Sequence, residues 1–494
     1  MNFADAMRCE TTKTLTENGA FAYNTTGEAL LDLFAQGGAL RSRTVPEIES
    51  KFAEAYYENS DLALRLLFYI GAIREGGGLG ERRTFKICYH WLGVHYPIMA
   101  LFNMGNVPFF TRWDNLFALM DTPCEDRMWS YVKKVLTSDI RAMQDGKPVT
   151  LLAKWMKSIN SSSKETRRIA RRACQAFGWS EPHYRRTMSA LRRYLNVVEV
   201  KMTAQQWEDI VYESVPSYAM KNYCRAFSRH DFERFNAYVE GVKKGNKVIK
   251  ASTLFPYDLI HEVLAGHYSD VVEQQWKALP NYVDGAHNFL VMSDVSGSMA
   301  GRPMETSIGL GIYFAQRNAG LFHNQFMTFT SDPRFIGLKD NDDLSVAVRK
   351  AIRGCGYSTN LSAAMRKILD TCIAYNVPEE ELPEALIVIS DMEIDQYMRP
   401  GYSYDFMDTL TYQFHQAGYS KAPKLILWNV QARNDTFLSN REDVIFCSGQ
   451  SAGTFKNLIR FLNGQTLLTA TDFMLEVLLQ KCFDRIVTFK DGIF

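Results

Sequence analysis

No stretch of this 494-residue chain approaches the roughly 18 uninterrupted apolar residues that a bilayer-spanning helix requires, so no membrane span is expected. The first residues, MNFADAMRCETTK, lack both the basic start and the apolar run of a secretory leader. The nine cysteines (Cys9, Cys88, Cys124, Cys174, Cys224, Cys355, Cys372, Cys447 and Cys482) form no CxxC pair and no tight Cys/His cluster. That excludes a zinc ribbon and a regular disulfide framework, and leaves free thiols in a reducing compartment, with the cytoplasm expected. The nine histidines show no HxxxH or HExxH spacing, and no Ser-His-Asp or Cys-His order can be argued. Low-complexity runs are few. At this length a single core is also excluded, since cores stop growing beyond about 250–300 residues.

What the chain does have is an uneven charge. The formal net charge is +1, yet residues 151–250 carry 20 Lys and Arg against 9 Asp and Glu, leaving −10 for the rest. Such a block speaks of partners more than of fold.

The periodicity also divides the chain. To about residue 284, apolar residues recur at three- and four-residue steps, as in Leu62–Ile70, which predicts helices. Further helices are expected at 115–119, 128–143, 151–159, 163–177, 181–196, 203–211, 217–227 and 231–243. No strict repeat length is visible, so an irregular, HEAT-like array of helix pairs is expected over 1–284. From 285 to 494, strand-length apolar runs (287–293, 325–330, 385–390, 424–430, 444–447) alternate with helices. That alternation predicts an α/β unit with a parallel sheet covered on both faces.

The first of these strands reads FLVMSDVSGSMAG over 289–301. Ligands of open parallel sheets bind beyond the carboxyl ends of the strands. There Asp294, Ser296 and Ser298 offer one carboxylate and two hydroxyls. Thr359, in GCGYSTNLS, and Asp391, after ALIVIS, offer further hard oxygens. This donor set suits Mg²⁺ or Mn²⁺. The alternative is that Asp294 caps the next helix and the serines fill a turn.

In order, spacing and placement, Asp294-x-Ser296-x-Ser298, Thr359 and Asp391 resemble the metal-ion-dependent adhesion site (MIDAS) of von Willebrand factor A domains, whose fold is Rossmann-like. The resemblance implies that Ser296 and Ser298 touch the metal, with Asp294, Thr359 and Asp391 on it or one layer out. It also implies an open position that an acidic group of a protein partner fills. A helical array before such a domain resembles the TROVE module of the Ro autoantigen, in the loop Arg74–Arg82 and in 111–117. LLAKWMKS (151–158), LRRYLNVVEVKM (191–202) and ASTLFPYDLIHEVL (251–264) are similar to TROVE-like proteins of fungi, plants and large viruses. The likeness covers roughly 60–494 and implies RNA binding in a ribonucleoprotein.

The residues bear on that implication independently. Arg167, Arg168, Arg171 and Arg172 lie on one expected helix, with two like-charged pairs four apart, which repel slightly. Arg185, Arg186, Arg192 and Arg193 repeat the pattern on the next helix. Guanidinium forks suit phosphate oxygens, and Trp179, Tyr184 and Tyr194 could stack on unpaired bases. The bland alternative is an arginine face that is solvated or paired with acids elsewhere in the chain.

The glycine-rich 74–83 segment lacks the GK[ST] ending of a phosphate-binding P-loop. The alternating acids Asp391, Glu393 and Asp395 invite a two-metal nuclease reading, against which no second carboxylate group follows another strand. The expectation is therefore a non-enzymatic protein that holds structured or misfolded non-coding RNA. Mg²⁺ (or Mn²⁺) is the expected cofactor; no membrane or DNA partner is expected. The alternative is a metal-dependent protein-interaction scaffold.

Overall fold

The computed structural model describes residues 7, 10–353, 355–356, 358–395, 406–441, 443–464 and 469–488. It has the expected division into a helical part and an α/β part. No helix among the described residues is long and apolar enough to cross a membrane, and the described cysteines are free thiols.

The helices follow their sequence signals closely. Lys164–Phe177 starts behind Ser163, whose hydroxyl accepts from the Thr166 amide, and stops at Gly178 in a left-handed conformation. Its buried stripe is Ala170, Ala173, Cys174 and Phe177, at the i, i+3, i+4, i+7 spacing of one face. Glu181–Tyr194 starts behind Ser180 in the same way and buries Tyr184, Met188 and Leu191. Three expectations need correction. Residues 203–211 are not one helix: Val198–Thr203 ends before Gln205, whose φ of +56° breaks the spiral. A short 3₁₀ turn, Trp207–Asp209, follows. The 151–159 helix shrinks to Leu152–Trp155, and 115–119 lies in a 3₁₀ segment, Trp113–Leu119.

The α/β part is built on a six-stranded sheet. Its strands are β3 (Phe289–Asp294), β4 (Gln325–Phe329), β5 (Arg334–Gly337), β6 (Ala385–Ser390), β7 (Lys424–Asn429) and β8 (Ile445–Ser448), in the spatial order β5-β4-β3-β6-β7-β8. All neighbours are parallel except β5, which pairs antiparallel to β4 at the edge. Counted within this sheet the order is 3-2-1-4-5-6, the doubly wound arrangement, whose direction of winding reverses between β3 and β6. Both of these strands are buried throughout, so their sequences read as continuous apolar runs.

Against the expectation from length, the two parts share one core, and residues 13–15 and 21–23, expected within the helical part, are strands. β1 (Lys13–Leu15) and β2 (Phe21–Tyr23) form an antiparallel hairpin. Tyr23 exchanges backbone hydrogen bonds with Phe437, and Gly19 bridges to Asp395. Gly38 crosses the loop after β8 so closely that a Cβ there would lie 2.6 Å from the Gly449 backbone. From the other end, Phe483 stacks on Phe110 at 5.2 Å, and Asn103 binds both polar atoms of the Val487 backbone. The glycine-rich loop is explained by this docking: a Cβ on Gly76 would strike the Phe483 ring at 2.7 Å, and one on Gly77 would meet Asn457 at 2.8 Å. Residues 198–271 contribute a second, smaller apolar cluster around Tyr212, Phe227 and Tyr238.

Candidate metal centre and basic surface

The reversal between β3 and β6 sets the ends of two adjacent strands side by side, and each end is followed by polar residues. Asp294 is wholly buried. Its Oδ1 accepts from the Ser296 amide at 2.9 Å and its Oδ2 from the Ser390 hydroxyl at 2.5 Å. The Ser296 and Ser298 hydroxyls lie 3.1 Å apart, and that of Ser298 also bonds the Asp391 carboxylate. Asp391 takes the Glu393 amide on Oδ1 and the Arg433 Nη2, at 2.7 Å, on Oδ2. Ser296 forms an isolated parallel bridge with Gly356, which draws in the loop that carries Thr359. Thr359 is 1% exposed. Its carbonyl accepts from the Leu361 and Asp395 amides, while its Oγ1 has no partner among the described residues. The sheet and its loops thus gather Asp294, Ser296, Ser298, Thr359 and Asp391 around the β3 and β6 ends.

The electrostatics are those of a site short of positive charge. Burial, and then the neighbouring Asp391, push the Asp294 carboxyl up to about 7. Burial also raises Asp391, against the opposing pull of Arg433. Two desolvated carboxylates and three hydroxyls, one of them the orphaned buried Thr359 oxygen, are the donors a hard divalent cation takes, so the residues present fit Mg²⁺ or Mn²⁺. Among the described residues no group of three or more His, Cys, Asp or Glu could hold a metal; most of this donor set is hydroxyl. The other two acids of the DMEID run tie down the chain's N-terminal segment. Glu393 is buried and accepts from the Glu17 amide, Asn434 and Thr436, and Asp395 pairs with Gly19. Glu393 and Asp395 thus help to fix the N-terminal hairpin.

Two members of this centre escaped the sequence reading. Ser390 carried a usable signal, a hydroxyl at the end of an apolar strand beside an acid. Arg433 carried none, because its place depends on the turn after β7.

The arginines of the basic block share faces as their spacing requires, but most have partners. Arg168 pairs with Glu165 and Asp121, Arg172 with Glu125 and Asp121, and Arg171 with Glu181. Arg167 donates to the Ser161 and Ser162 carbonyls. Arg192 donates to those of Ala153 and Met156, and burial lowers its pKa. Arg185 reaches Asn160 only at 3.5 Å. Arg186 and Arg193 are exposed and make no hydrogen bond or ion pair among the described residues. Tyr184 cannot stack on a base as expected: it is 1% exposed and its hydroxyl binds the Lys157 carbonyl. Trp179 lies edge-on to Phe177. Tyr194 remains 40% exposed, with its hydroxyl held by the Lys147 carbonyl.

Comparison with known proteins adds the family. A family model described as "Domain of unknown function (DUF2828)" matches residues 16–113 and 134–285, and another, "Domain of unknown function (DUF7788)", matches 288–477. A protein of Acanthamoeba polyphaga mimivirus, "Uncharacterized protein L728", is 26% identical over 481 residues, covering 89% of this chain and 83% of that protein. Among solved structures, the Ro (RSR) protein of Deinococcus radiodurans aligns over 86% of this chain and 92% of its own, at 14% identity and a TM-score of 0.34. So loose a superposition carries no argument about what this chain binds. The first family model alone spans just over half of the sequence, and the chain belongs to the DUF2828 family, its sheet-bearing part matching DUF7788.

Proposed function

We propose that this protein is a non-catalytic, cytoplasmic RNA-binding protein that holds structured or misfolded non-coding RNA in a ribonucleoprotein. The observation that supports it is the uncompensated charge on the helix Glu181–Tyr194. Arg186 and Arg193 stand seven residues apart, two turns along one face, exposed and without acidic partners among the described residues. Phosphate oxygens suit such free guanidinium forks. Beside Arg193, the Tyr194 ring is exposed and held by its hydroxyl, a platform for an unpaired base.

The test follows from which arginines are free. Changing Arg185, Arg186 and Arg193 together to Gln should weaken RNA binding and lower the log–log salt slope by about 2–3, one for each lost phosphate contact. Fluorescence anisotropy between 50 and 200 mM salt measures both. Unchanged affinity and slope would remove this helix face as the RNA site.

A second reading, a metal-dependent interaction scaffold, is favoured by the Thr359 oxygen without a partner. Asp294, Ser296, Ser298, Thr359 and Asp391 would hold Mg²⁺ or Mn²⁺, and the ion would supply an open position for an acidic group of a protein partner. Ser296 and Ser298 set their hydroxyls toward one another, and the Ser390 hydroxyl holds one Asp294 oxygen. Changing Ser296 and Ser298 to Ala should remove a Mg²⁺-induced thermal shift and leave RNA affinity in place. A shift that persists in this double variant would count against the centre.

A further inference from the structure

Where the two parts meet, a cavity of about 610 Å³ opens between the start of the helix Arg82–His95, the Phe255–Tyr257 segment and the start of the helix Arg302–Arg317. Its volume is that of a small-molecule site. Arg41, Arg82, Arg83, Lys86 and Arg302 line it against a single carboxylate, Glu81, and Glu81 is already paired with Arg41.

The placement of these cations is unfavourable in the free protein. A helix N-terminus carries partial positive charge, so cations there are repelled and anions attracted. Yet one helix begins Arg82-Arg83 and the other begins at Arg302, and neither start has a side-chain cap. Arg82 is answered by Asp114, and Arg83 by the Arg41 and Arg43 carbonyls. Arg302 lies over the Tyr257 ring at 4.6 Å and makes no ion pair among the described residues. Lys86 is half-buried with neither hydrogen bond nor ion pair among the described residues. Burial, then Arg82, lower its pKa to about 8. Gln450, 2% exposed, lines the cavity, and its Nε2 has no partner among the described residues; nor do the buried Nε and Nη1 of Arg41, which lines it as well. A buried amide donor beside two uncapped helix starts and two cations without ion pairs among the described residues suits an anion.

We propose that this junction cavity binds a phosphate monoester through Lys86, Arg302, Gln450 and the two helix starts. The phosphate can belong to a free mononucleotide or to the 5′ end of an RNA. The site is independent of the Glu181–Tyr194 face, and its failure would leave that reading untouched. Isothermal titration of the intact chain at low salt would use inorganic phosphate, AMP, and a 12-nucleotide RNA with a 5′-phosphate or a 5′-hydroxyl. Saturable binding of phosphate or AMP identifies the small-molecule source. Preference for the 5′-phosphorylated RNA, without AMP binding, identifies the RNA end. In either case the double variant Lys86→Met/Arg302→Gln should weaken binding at least tenfold, and its ligand-free melting temperature should stay level or rise, because repulsive cations have been removed. No saturable binding of any probe, no dependence on the 5′-phosphate together with no AMP or phosphate binding, or equal binding by the double variant would overturn the proposal.

Discussion

The helix pair spanning 164–194 and the junction cavity are both rich in arginine, and they treat that charge in opposite ways. On the helix pair, Asp121, Glu125, Glu165 and Glu181 answer three of the first four arginines. Around the cavity, five cations meet one lining carboxylate, and three of them sit against the positive ends of helices. A count of charges along the sequence ranks the first region as the anion binder. The distribution of partners adds the second, and on the first region it narrows the free surface to Arg185, Arg186 and Arg193. What recruits an anion is charge the fold leaves unanswered, not charge as such.

The sharpest way to disturb this comparison is to remove the carboxylate between the two regions. Asp114 is fully buried and takes Arg82 from the cavity side, Lys157 from the start of the basic block, and Arg112. Burial would raise its carboxyl, but Arg112, Arg82 and Lys157 outweigh that and hold it below the ordinary range. Asp114→Ala should cost about 3–5 kcal/mol, because partly buried cations lose their counter-charge, and urea unfolding at neutral pH measures it. A loss below 1 kcal/mol would mean that water reaches these groups freely.

Next in size is the pH response of Lys86. In the unfolded chain it stays charged up to about pH 10.5, and in the fold only to about 8. The unfolded state therefore binds more protons between those values, and stability attributable to Lys86 rises with pH across that window, by on the order of 1–3 kcal/mol. Urea unfolding without phosphate should show the rise in the parent and its absence in Lys86→Met. Identical pH profiles would show that Lys86 is solvated in the fold.

The smallest effect belongs to the paired region. Asp121 accepts from both Arg168 and Arg172, and the Arg168 bond, above all, holds its pKa down. Its φ of +60° suits Asn, so Asp121→Asn keeps the backbone comfortable. Stability should change by less than about 1 kcal/mol, as for exposed ion pairs. RNA affinity at low salt should rise two- to fivefold, because two guanidiniums lose a competitor. No change in affinity would mean that Glu165 and Glu125 suffice to occupy them.

Much of the candidate site at the β3 and β6 ends was legible because strand ends, acids and hydroxyls are local features. Ala385–Ser390 and Leu344–Ile352 start and stop where their apolar patterns do. The arginine faces were legible as faces, but Asp121 and Glu125 lie more than forty residues upstream of their partners, and no periodicity encodes that pairing. Tyr184 looked available because an aromatic within a basic run reads the same whether its helix turns it in or out. Strands of three residues, as in β1 and β2, are too short to show alternation, and the antiparallel edge strand β5 was missed likewise. The cavity was invisible for a further reason: its residues come from positions 41, 81–86, 302 and 450, brought together only when the two parts dock.

The N-terminal hairpin has a consequence for how the protein is made. Its backbone partners lie at Asp395 and Phe437, about 400 residues further along the chain. At ordinary rates of synthesis, roughly 5–20 residues per second, β1 and β2 wait on the order of 20–80 seconds before those partners emerge. Throughout that interval the nascent protein carries an unpaired strand edge, open to any other chain that offers one. Completion of the sheet-bearing half closes that edge, so a ribosome stalled before residue 437 would release a chain prone to self-association, however well its helices had formed.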